Sequence, residues 1–154
     1  MNRHVLLIAT AFATYLGLFS AVSMAGVMAP EAVVDSFSRL METHHAMEGV
    51  DKYVSARYVE HDPSTEGGGR EGLIKFIKES GWDEGKAAAA VIHRDRTIAS
   101  GDLVVVHQHM RMSAKDPWVA LVDIFRVADG KIIEHWDVVQ PVPTNPVNKK
   151  YPMY

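Results

Sequence analysis

Asp123 sits in Leu121-Val122-Asp123-Ile124-Phe125, a stretch otherwise apolar on both sides of a strand. A carboxylate there is either buried with a partner or lines a cavity, because an unpaired charge in an apolar surround is costly. On the preceding strand His107 and His109 alternate with Gln108, so the two imidazoles share a face. A bend between Ser113 and Pro117 brings that strand alongside the one carrying Asp123. A desolvated carboxylate with an imidazole to orient it or share its proton is a workable general acid/base pair. The plainer reading, a buried His-Asp hydrogen bond that only satisfies two core groups, fits the same residues.

Other imidazoles have weaker claims. His61, just before Asp62-Pro63, is a donor at a pocket mouth or an anchor for the following loop. His93 reads as a solvated strand residue, and His44-His45 as flanking a helix end. His107-x-His109 and His135-x-Asp137 resemble paired metal ligands on strands. If Asp129-Gly130 is a two-residue turn, however, Val127 stands opposite Ile132, Phe125 opposite Glu134 and Asp123 opposite Trp136. His135 then lies opposite Ile124, on the face away from Asp123, which splits the ligand set unless a bulge intervenes. No metal and no cofactor is therefore expected. Arg94-Asp95-Arg96 reads as a solvated or interface stretch.

The elements that must position these groups follow from periodicity. Val33, Phe37, Leu40, Met41 and His44 recur at helical spacing from Pro30 to Ala46, with Pro30 and Glu31 fitting a helix start. A short amphipathic segment, Val50 to Arg57, follows Gly49 as a break. Tyr58-Val59-Glu60-His61 reads as extended chain, Gly67-Gly68-Gly69 as a loop, and Arg70 to Ser80 as a third helix. Beyond Gly85 the period becomes two, giving four strands, Val91–Ala99, Leu103–Met112, Trp118–Val127 and Lys131–Val139. Helices followed by consecutive strands give an α+β domain, with three N-terminal helices covering a curved antiparallel sheet. The proline-bearing tail from Gln140 should lie extended on the surface.

Composition narrows the chemistry further. The chain has 154 residues, 16 Lys+Arg against 19 Asp+Glu, and no cysteine. The near-neutral balance offers no basic stripe for a phosphate backbone, so nucleic acid is not an expected partner. Without cysteine there are no disulfides, thiol nucleophiles or Cys-type zinc sites. Residues 1–25 read as a signal peptide: Arg3, an apolar run from Val5 to Val22, then Ser23-Met24-Ala25 as cleavage pattern, with Ala29 as an alternative site. An uncleaved anchor is the other reading of the same run.

Tyr58 to Pro63, Glu71 to Phe76, Val106 to His109 and, above all, Val122 to Val127 with Asp129 to Val138 resemble the SnoaL-like polyketide cyclase family of the nuclear transport factor 2-like superfamily. The likeness runs from about Ala32 to Pro143, giving a SnoaL-like domain at residues 30–143 and a tail at 144–154. The resemblance implies a cone-shaped α+β barrel with a deep apolar pocket, commonly a homodimer through the outer sheet face. It also implies that Asp123 acts as general acid/base in an aldol-type ring closure, with His109, or else His107, beside it. The family's cyclases are intracellular, whereas this chain carries a leader.

Together these readings predict a periplasmic or secreted enzyme that abstracts a proton α to a carbonyl of a small apolar molecule, for aldol-type cyclisation or isomerisation. Asp123, His109 and His61 are the expected catalytic residues, and His107, Trp136, Phe125 and Tyr58 the expected substrate contacts. No membrane partner is expected after cleavage. The rivals are a non-catalytic binder of a hydrophobic ligand and a hydrolase whose Asp-His pair activates water.

Overall fold

Residues 26–84 and 86–154 are described by a computed structural model; the leader assigned to residues 1–25 lies outside them. Helix α1 runs Pro30–Glu42 and buries Val33, Val34 and Phe37. It stops where the Thr43 hydroxyl donates back to the Arg39 carbonyl at 2.8 Å and His44 turns to φ 59°. Helix α2, Ala46–Tyr53, begins immediately afterwards. No side chain at its own N-terminus caps it. Asp83, distant in sequence, accepts hydrogen bonds from the Ala46 and Met47 N–H groups at 2.6 and 2.8 Å.

Gly49 does not break the chain, as the sequence reading expected, but lies inside α2. A Cβ there would come within 3.2 Å of the Phe37 ring, so glycine lets α2 pack closely on α1. Helix α3, Arg70–Ser80, has the expected bounds and ends on Gly81 in the left-handed region.

Strands β1 (Val54–Glu60), β2 (Val91–Ser100), β3 (Leu103–Arg111), β4 (Val119–Ala128) and β5 (Lys131–Pro141) form one sheet in the order β1-β5-β4-β3-β2. The fold is α+β, three helices against a curved five-stranded sheet. The sheet is mixed and open: β1 adds to β5 in parallel and is one edge, while β2 is the other. The segment expected as an amphipathic helix to Arg57 is thus helix to Tyr53 and strand from Val54, which pairs with Ile132 of β5. Pro141 closes β5 opposite Val119, and the tail beyond it has no regular element.

The helices pack on one sheet face, where Val33, Val34, Phe37 and Ile77 meet Val104, Val106, Phe125, Val127 and Ile132. Asp129 and Gly130 both adopt positive φ, 51° and 71°, as a tight two-residue hairpin turn requires. Val127 pairs with Ile132 as expected, but Arg126 then pairs with Glu134. Ile133 is therefore an extra residue, a bulge that shifts every later pair by one. Phe125 faces His135, and Asp123 faces Asp137 rather than Trp136.

Candidate active site

The packed core stops short of one end of the sheet and leaves a cavity of about 340 Å³. Its walls are largely apolar, with Phe37, Met41, Leu73, Phe76, Trp82 and Met110 among them. Its polar end is built by three neighbouring strands: β4 supplies Asp123, β3 Gln108, and β5 His135 and Asp137. The edge strand β1 adds Tyr58 and Glu60, and Asp62 follows it.

Asp123 is 8% exposed, and each carboxylate oxygen has a donor. Gln108 Nε2 donates to Oδ2 at 2.8 Å, and His135 Nε2 donates to Oδ1 at 3.2 Å. The other ring nitrogen of His135, Nδ1, donates to Glu60 Oε1 at 2.9 Å. Glu60 also accepts from the Tyr58 hydroxyl and from the Asp62 N–H at 3.1 Å. Phe125 stacks on the His135 ring with centroids 4.7 Å apart, fixing its plane.

The result is an imidazole clamped between two buried carboxylates. Burial alone would discharge His135, but its bonds to Asp123 and Glu60 outweigh that and push its pKa up to about 9. It is an imidazolium at neutral pH, donating from both nitrogens. Burial raises the Glu60 pKa, yet the bonds from His135, Tyr58 and Asp62 bring it below its usual value. The Tyr58 hydroxyl is pushed upward by burial and by donating to Glu60, so it stays protonated. Asp137 is also raised, by burial first and then by the charge of Asp62, with Asp123 and Glu60 adding to it.

Of the residues expected at the site, Asp123, Tyr58 and Phe125 line the cavity. The structure places His109 elsewhere. It lies on the outer sheet face, pairs across β3–β4 with Ala120, donates from Nδ1 to Asp95 Oδ2 at 2.9 Å, and stacks on the tail residue Tyr154 at 3.8 Å. His107, opposite Val122, shares that outer face. The side chains that face Asp123 from β3 are those of Val106 and Gln108, because Val106 is its direct partner. The turn length between Ser113 and Pro117 sets that parity, and the sequence left it open.

His61 and Trp136 also lie outside the cavity. Their rings stack 4.7 Å apart, and His61 Nε2 is 3.0 Å from Glu134 Oε1. Trp136 follows the same bulge that turns His135 inward, which exchanges the faces expected for these two neighbours. His93 is an exposed strand residue, as expected, with its ring beside those of His109 and Trp118. Arg94 turns to α1, bonding Asp35 at 2.6 Å and Glu42 at 3.1 Å, where a bulge in β2 departs from simple alternation.

His135, Glu60, Gln108 and Asp137 are the site members that strand alternation missed. Tyr58-x-Glu60 was a usable signal, since two residues apart on a strand share a face. Among the described residues, no three His, Asp or Glu side chains converge in a way that could hold a metal ion.

Residues 24–135 match the family model of the SnoaL-like domain. No curated protein sequence matches. Among solved structures, wild-type IdmH from Streptomyces antibioticus, a candidate polyketide cyclase, superposes with a TM-score of 0.59 at 17% identity, over 73% of this chain and 92% of its own. A candidate polyketide cyclase from Bacillus cereus gives 0.58 at 21% identity, over 70% and 71%. AclR from Streptomyces galilaeus, a candidate hydroxylase, gives 0.59 at 16% identity, over 72% and 88%. At these identities the structures share the fold, and different activities are named on it.

Proposed function

The chain belongs to the SnoaL-like domain family, and on that premise we propose that it is an acid–base enzyme of cyclase or isomerase type. Asp123 takes a proton from the carbon α to a carbonyl of a small, largely apolar substrate. The observation that carries this reading is Asp123 itself, a carboxylate 8% exposed at the polar end of an apolar cavity, with a donor on each oxygen.

The neighbours suit a base that must give its proton back. His135 and Gln108 aim the carboxylate. When Asp123 accepts a proton its charge disappears, and Glu60 continues to compensate His135. No buried charge is therefore left alone at either stage, which is the arrangement that costs most. A volume of about 340 Å³ is at the small end of ligand cavities. The flexible side chains of Met41 and Met110 let the wall adapt to irregular apolar shapes. Export to the periplasm or the medium, and pairing of two copies through the outer sheet face, complete the proposal. The leader sequence and the family resemblance support those two parts, and an exported chain should begin near Gly26 or Pro30.

The test is deuterium exchange at the α-carbon of 2-tetralone, a neutral apolar ketone, followed by NMR with the purified protein. Exchange faster than the buffer blank is expected. Binding of 2-tetralone without any acceleration would overturn the enzyme reading in favour of a binding protein.

A further inference from the structure

Asp137 is the direct cross-strand partner of Asp123, and both line the cavity. The two carboxyls have opposite surroundings. Asp123 receives bonds from Gln108 and His135. Glu60 receives them from Tyr58, His135 and the Asp62 N–H. Asp62 is held by the Ser64 N–H and hydroxyl, both at 2.8 Å to Oδ1. Glu42, further along the wall, is paired with Arg94 at 3.1 Å. Asp137 alone among these acids accepts no side-chain or backbone hydrogen bond from the described residues and opens onto the cavity.

Four acids, Asp123, Glu60, Asp62 and Asp137, thus share one end of the cavity with a single cation, His135. Asp137 is only part-buried, but negative charge that no protein donor compensates is costlier beside three other acids than in bulk water, so of the four the proton is held most readily where the anion is least stabilised. That position is Asp137. Burial, then the charge of Asp62, with Asp123 and Glu60 adding, favours its neutral form, and His135 only partly opposes them.

We propose that Asp137, as a neutral carboxylic acid, donates a hydrogen bond and then its proton to the carbonyl oxygen of the substrate whose α-proton Asp123 removes. This rests on the acid–base reading of the cavity. Two neighbouring carboxyls, one with a donor on each oxygen and one with none, are an arrangement from which separate base and acid roles follow. In the forward step the α C–H bond breaks and its electron pair forms the C=C bond. The carbonyl π pair moves to oxygen, which bonds the Asp137 proton, while Asp123 holds the α-proton. Charge on the pair of carboxyls is unchanged, since one gains the proton that the other loses. Collapse of the enol returns the hydroxyl proton to Asp137, and Asp123 delivers its own to the α-carbon, or to the γ-carbon where a β,γ double bond of the substrate has made the intermediate a dienol. The substrate is an uncharged ketone, aldehyde or ester at this end, because a carboxylate or phosphate would meet the remaining carboxylates.

The experiment pairs the infrared carbonyl stretch of bound 2-tetralone with its α-exchange rate in wild type, Asp137→Ala, Asp137→Asn and Asp123→Asn. The stretch should be lowered in wild type and in Asp123→Asn, return to the value in an aprotic solvent in Asp137→Ala, and stay partly lowered in Asp137→Asn, whose amide can donate. Exchange should fall roughly 10²–10³-fold in Asp137→Ala, as for loss of an oxyanion donor. It should fall less in the isosteric Asn variant. A lowered stretch that persists in Asp137→Ala, or no lowering at saturation in wild type, overturns the proposal. If exchange is absent throughout while the lowering depends on Asp137, the base role of Asp123 fails and the donor role of Asp137 stands.

Discussion

His135 Nε2 stands 3.2 Å from Asp123 Oδ1 because Ile133 is an extra residue between the turn and the rest of β5. Without that bulge His135 would point to the outer face and the cavity would hold carboxyls with no cation among them. The bulge, a backbone irregularity, thereby decides the electrostatics of the site.

Asp123→Asn preserves the shape and removes the base. Exchange at the α-carbon of 2-tetralone should drop roughly 10²–10⁴-fold while the ketone still binds. Wild-type exchange in this variant would eliminate Asp123 as the base.

Replacing His61, His107 or His109 by Gln should leave exchange at the wild-type rate, since none of the three lines the cavity. A large loss in any one of them, with the fold intact by circular dichroism, would contradict the placement described above.

Site members differ in how openly the sequence announces them. A lone carboxylate in an apolar strand is conspicuous because burying it demands a partner, so Asp123 could be picked out directly. Its partner could not. Strand alternation carries face assignments only as far as the first bulge, and Ile133 looks like any other strand residue. Gln108 was hidden in the same way, since the turn between β3 and β4 sets which of Gln108 or its flanking histidines faces Asp123. Helix α3 and the strand segments were legible because a sustained period of 3.6 or 2 spans each of them. The joining of β1 to β5 was not, because no local pattern records which strands become neighbours.

Stability should fall as the solution becomes alkaline. The His135 pKa is raised from its ordinary 6.5 to about 9, so its contribution is fully present below 6.5 and is lost as pH rises through 9. A shift of that size corresponds to about 3 kcal/mol for this largely buried group. Urea midpoints measured on both sides of this window should decline in wild type and change much less in His135→Phe. Equal slopes in the two proteins would show that the imidazolium is not held by the fold.

Asp83→Ala removes both hydrogen bonds at the start of α2, where no local side chain can replace them. A cost of about 1–2 kcal/mol is expected from loss of a helix cap. Thermal unfolding should show a lower Tm, with α-exchange at low temperature unaffected. An unchanged Tm would mean that water satisfies the α2 N-terminus equally well.

The parallel pairing of β1 with β5 has a consequence for the order in which the molecule folds. The β2–β3 and β4–β5 hairpins close over short stretches of chain, whereas Glu60 meets His135 across a separation of 75 residues. Closing a long loop costs more entropy than closing a short one, so the edge pairing gains least until the hairpins are in place. The Glu60–His135 link therefore belongs to the last stage of assembly, and a chain emerging from synthesis has no working site until its final strand has docked beside its first.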